Sequence, residues 1–183
     1  MCIRDRQWAE TVVMLCSKVA NFFQDSGTAK AKLNEAQVTE YGARDTIVVP
    51  APTRWASNFF VVKCILENRK ALQTCVRTQG WTEGFGSDAL LTAELISDLA
   101  ENTWKRQRNA QQPLYFWEKV TLFVELFQPF SDAIHQIEAD LPMMSQAWPI
   151  LQSLKGHISA FIEERKGEDG ITDRLQVCSM FLK

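Results

Sequence analysis

From Trp8 onward the apolar residues Val12, Leu15, Val19 and Phe22 recur in steps of three and four. That spacing lays one apolar stripe along an amphipathic helix, which should stop near Asp25-Ser26-Gly27. A second helix, polar and rich in Ala, Lys and Glu, is expected over residues 28–40, with Gly42 after Tyr41 suited to a left-handed cap. Residues 46–49, Thr-Ile-Val-Val, are the one strand candidate, closed by Pro50 and Pro52, neither of which can donate a ladder hydrogen bond.

Beyond those prolines the pattern is helical almost throughout. Phe59, Val62, Leu66, Leu72 and Val76 supply the apolar face of a single helix over 56–78, and Gly80, Gly84 and Gly86 mark the loop after it. Ser87 can cap a helix whose Leu90, Leu91, Leu95 and Leu99 face inward as far as Trp104. A polar hinge over 107–112 leads to Pro113 at the next helix start. There Phe116, Val120, Phe123, Leu126 and Phe127 pack, Pro129 permits a kink, and Ile134, Ile137 and Leu141 carry the stripe onward. The last long helix is expected over 143–164, bent or restarted by Pro149. The fold class is therefore mainly α, a helical bundle with one short strand.

With 183 residues, 46% hydrophobic, 23% charged and a formal net charge of −2, the chain can bury one ordinary core. Disordered, collagen-like and strongly basic nucleic-acid-coating proteins are excluded. No run approaches the roughly 20 apolar residues of a membrane helix. Five scattered cysteines (Cys2, Cys16, Cys64, Cys75, Cys178) form no C-x-x-C pair, so buried thiols in a reducing compartment fit better than a disulfide framework or a zinc knuckle. His135 and His157 have no partner at metal-ligand spacing, and no phosphate-binding glycine motif or nucleophile elbow is present.

Both ends are expected to be truncated. Residues 1–6, Met-Cys-Ile-Arg-Asp-Arg, resemble the in-frame translation of a transposon-end adapter used in sequencing-library preparation, joined to a helix already under way. Ile171, Leu175, Cys178 and Phe181 form an apolar stripe that stops without a cap.

Charge is uneven along the chain. Residues 54–80 hold five basic side chains against the single acid Glu67, whereas residues 121–183 hold five basic against nine acidic. Lys63, Lys70 and Arg77 are spaced by seven, so two helical turns return each to nearly the same face; such a row can follow a phosphate backbone or simply be solvated. Thr53-Arg54-Trp55 places a cation and a large aromatic at the first turn of a helix. Trp55 can stack on an exposed base while Arg54 holds a phosphate, or it can begin the apolar stripe that continues at Phe59, with Arg54 snorkelling.

Two blocks resemble the hAT superfamily of DNA transposases and the host proteins descended from them. Residues 48–72, VVPAPTRWASNFFVVKCILENRKAL, are similar to the family's Thr-Arg-Trp stretch and the helix after it. Residues 116–158 resemble its later helices through Trp117, Pro129, Ala133-Ile134, Glu138, Asp140, Pro142 and Trp148. The helix ahead of the strand, with Val19-Ala20-Asn21-Phe22-Phe23 and Ser26, matches as well.

The resemblance implies a ribonuclease-H-like catalytic domain interrupted by a helical insertion. Residues 7–50 would then be the end of the catalytic domain and 51–183 part of the insertion. It implies that Trp55 stacks at a transposon end where a base is flipped, with Arg54 beside it and Lys63, Lys70 and Arg77 as further DNA contacts. The family's chemistry is strand cleavage and joining at a divalent metal, Mg in the parent protein, held by two Asp and one Glu. Those Asp residues and a Cys-x-x-His pair belong upstream of this chain and the Glu downstream; Asp45 does not match. The fragment is therefore expected to hold no cofactor and to be inactive alone, with DNA-end binding and scaffolding as its role. A nuclear location and oligomerisation through a missing C-terminal region follow from the same resemblance. The alternative is a domesticated, non-enzymatic helical module that binds protein partners.

Overall fold

The structure, a computed structural model, describes residues 3–49, 55–78, 81, 96, 116–138 and 144–165. They form six helices: α1 (Ile3–Asp25), α2 (Gly27–Tyr41), α3 (Trp55–Glu67), α4 (Arg69–Arg77), α5 (Phe116–Glu138) and α6 (Met144–Glu164). The helix expected over 87–104 lies outside the described residues apart from Ile96, which is helical and buried. The glycine loop, the hinge over 107–112, Leu141 and the stripe from Ile171 to Phe181 lie outside them too.

One serine breaks α1 from α2. Ser26 is extended, and its hydroxyl accepts the Ala29 N–H at 3.2 Å, satisfying one of the free donors in the first turn of α2. Gly42 ends α2 at φ 74°, where a side chain would be strained, and its N–H donates to the Val38 carbonyl.

The core is centred on α3. Phe59, Val61, Val62, Cys64 and Ile65 are all buried, so this helix is covered on more than one face, by α1 and by α5. From α1 come Val12, Cys16, Val19, Ala20 and Phe23, and from α5 Phe116, Trp117, Val120 and Phe123. Phe22, placed in the α1 stripe by its spacing, is only half-buried, and its neighbour Phe23 takes the inward position.

Two antiparallel pairs flank this core. In α2 and α4, the Tyr41 hydroxyl meets the start of α4, Thr74 donates to Glu40 at 2.8 Å, and Trp81 lies against the Phe22 and Phe23 rings. In α5 and α6, Leu122, Leu126 and Phe161 form a second apolar cluster, and Arg165 pairs with Glu125 at 2.6 Å. Pro129 and Pro149 each sit inside a helix without ending it, so Pro149 does not restart α6. Ile137 does not continue the buried stripe; it is 55% exposed near the end of α5. No described helix is long and apolar enough to cross a membrane.

Two further expectations are corrected. The strand over 46–49 is not formed: residues 44–49 belong to no helix and no sheet among the described residues. Side chains substitute for a sheet partner. Gln37 donates through Nε2 to the Asp45 carbonyl at 2.8 Å and accepts the Asp45 N–H through Oε1 at 3.1 Å, pairing with that backbone as a neighbouring peptide would. The single helix over 56–78 is instead two helices broken at Asn68, for the reason given next.

Candidate nucleic-acid interface

Asn68 is buried, with φ −88° and ψ 9°, which unwinds the helix locally. Its side-chain amide donates to the Cys64 carbonyl at 2.9 Å, the acceptor that its own backbone N–H also uses at 3.0 Å. This local competition is how asparagine interrupts helices. The N–H groups of Lys70 and Ala71, freed by the break, donate to the Tyr41 hydroxyl at 3.2 and 3.4 Å. Gln37 completes the network with a 2.7 Å bond to Asn68 Oδ1. Two fully buried amides are thereby satisfied, and α2, residues 44–49 and the α3–α4 break are joined into one unit.

This unit decides where the predicted contacts stand. Arg54 lies outside the described residues, and Trp55 is described by its backbone alone, as the first residue of α3. Lys63 is half-buried on α3, whereas Lys70 and Arg77 are exposed on α4. Because the break falls between Lys63 and Lys70, the seven-residue spacing no longer runs along one straight helix. Lys70 and Arg77 do share α4, and seven residues at the helical rise place them about 10 Å apart along its axis.

The described thiols are buried. Desolvation raises the thiol pKa of Cys16 and Cys64, and that of Cys75 to about 12. For Cys64, hydrogen bonds from the Val48 backbone and the Asn68 side chain act in the opposite direction. A thiol held protonated in the fold but free to ionise when unfolded contributes stability below its ordinary pKa near 9.0, and that contribution is lost as pH rises toward about 12. Thermal midpoints measured across that window should fall with rising pH, and a Cys75→Ala chain should fall less steeply. Cys2 and Cys178 lie outside the described residues.

Among the described residues no group of three or more His, Cys, Asp and Glu side chains could hold a metal ion. His135 is exposed beside the Phe60 ring, and His157 lies against Phe161. Trp117, which the sequence offers only as part of a resemblance, is a core residue: it is 1% exposed and donates its indole N–H to the Ile96 carbonyl at 2.9 Å. The Gln37–Asn68 network went unread in the sequence, yet it had a signal. Gln37 falls in a buried stripe with Ala29, Leu33 and Ala36, where a polar residue calls for a partner.

Compared with family profiles, curated proteins and solved structures, the chain matches none.

Proposed function

We propose that this chain is part of a hAT-like transposase or of a transposase-derived protein, and that it binds and scaffolds DNA ends beside a metal-dependent centre completed by other parts of the parent. The observation that carries the reading is the Thr53-Arg54-Trp55 motif within residues 48–72, with Trp55 as the first residue of α3. An indole at that position offers a π-face to an unstacked base, worth about 1–3 kcal/mol per base in single-strand binders. The exposed Lys70 and Arg77 add charge for the backbone.

Trp55→Ala is expected to weaken binding to a hairpin or unpaired DNA end by about 5- to 150-fold, from that stacking energy. The matched control is Trp148→Ala, because Trp148 is 69% exposed and its loss leaves the core intact. Trp117→Ala is unsuitable as a control, since it would disrupt the fold itself. Equal affinities for the Trp55 and Trp148 variants, at equal thermal stability, would remove the proposal.

One observation favours the alternative, a domesticated module that binds protein. Trp148 and Leu151, three residues apart on one face of α6, are both largely exposed. If that face is the functional one, Trp148→Ala would abolish partner binding while Trp55→Ala would not.

A further inference from the structure

A cleft of about 190 Å³ lies between α2 and residues 44–47. Its apolar lining is made by the buried Phe23, Leu33 and Ile47. Its rim is polar: Lys30 and Asn34 from α2 face Arg44, Asp45 and Thr46. We infer that this cleft takes a single phosphate group of a nucleic-acid backbone, with Arg44 and Lys30 as its cationic contacts. The inference rests on the DNA-binding reading above and adds to it a contact apart from Trp55.

Size sets the first limit. Sites for drug-sized ligands occupy about 300–1,000 Å³, so this cleft suits one small group of a longer molecule. Chemistry sets the second. Among the described residues the Arg44 guanidinium and the Asn34 amide make no hydrogen bond or ion pair, so their donors are available. Lys30 gives one hydrogen to Gln24 Oε1 at 2.9 Å and keeps two. The one acid, Asp45, already accepts the Thr46 N–H at 2.8 Å through Oδ1, leaving two cations against a single carboxylate. A guanidinium and an ammonium lining one cleft both donate charge-assisted hydrogen bonds that phosphate oxygens accept.

Rigidity sets the third. Arg44 and Thr46 flank Asp45, the residue whose N–H and carbonyl Gln37 holds at both points. The chain at Asp45 is thus held before any ligand arrives, and less entropy is lost on binding than for a cation on a free loop.

The test is the salt dependence of binding by the whole chain to a DNA hairpin with an unpaired end, followed by fluorescence anisotropy. Arg44→Gln and Lys30→Gln are the variants; both alter exposed side chains, and unchanged thermal midpoints would verify their folding. Substituting both should reduce the slope of log K against log salt by about 0.7, the value for one single-strand phosphate contact, and weaken binding about fivefold near 0.1 M salt, with each single variant giving part of that change. Trp55→Ala should lower affinity with the slope unchanged, which separates the two contacts. Altered slopes in the Arg44 and Lys30 variants with full affinity in Trp55→Ala would keep the cleft and end the stacking role. Unaltered slopes in both cleft variants would overturn the inference, as would failure of the unsubstituted chain to bind the hairpin. A parallel titration with inorganic phosphate tests the source: saturation there with no change of DNA slope in the variants would also overturn it.

Discussion

Trp117→Ala should destabilise the chain by about 4 kcal/mol, a large share of the 5–15 kcal/mol that holds an ordinary domain folded. Three losses coincide. The ring is 1% exposed, so its removal leaves a cavity in the core. Its indole N–H donates to the Ile96 carbonyl at 2.9 Å, and that buried acceptor would lose this donor. The Arg69 guanidinium lies 5.1 Å above the ring, so the link between α4 and α5 is weakened as well. Trp117→Phe retains much of the packing but not the hydrogen bond, and should cost about half as much. Denaturant midpoints with unchanged m-values would measure both; a loss below about 1 kcal/mol for the alanine variant would mean that Trp117 is not seated in the core in this way.

Gln37→Leu is expected to cost about 3 kcal/mol although leucine is of similar size and more apolar. The substitution strands Asn68 Oδ1 and removes both partners of the Asp45 backbone. Residues 44–49 then lose the Gln37 clamp, and amide exchange at Asp45 should accelerate together with the loss of stability. Asn68→Leu should be destabilising by a similar amount. The double variant should lose clearly less than the two single losses added together, because each single change leaves the other's buried amide unpaired. Strict additivity would show that the two amides do not form one network.

These two residues also mark what the sequence could and could not disclose. Periodicity located α1 and α5 because each carries an apolar stripe of ordinary width, α2 was legible from its Ala, Lys and Glu content, and its end at Gly42 follows from local chemistry. The same periodicity ran α3 and α4 together. Ile65, Asn68, Leu72 and Cys75 keep helical spacing across the break, and the cause of the break is a hydrogen bond from Asn68 to its own helix plus a hydroxyl supplied by Tyr41, 29 residues away from Lys70. Thr46-Ile47-Val48-Val49 has strand composition, but a strand also needs a partner, and that is a tertiary fact. Of the proposed DNA contacts, the sequence placed Lys70 and Arg77 on exposed positions of one helix, whereas Lys63 falls on the buried central helix. The cleft of Lys30 and Arg44 was not legible, because it joins two segments only through the fold of the Gln37 clamp.

The central claim, an indole offered to an unstacked base at a DNA end, is tested most directly by one ratio: the affinity for a duplex with an unpaired terminal nucleotide divided by that for the same duplex fully paired. For the unsubstituted chain the ratio should exceed about fivefold, the lower bound of single-base stacking, and Trp55→Ala should bring it close to one. A ratio near one in the unsubstituted chain, or an undiminished ratio in Trp55→Ala, would contradict the account.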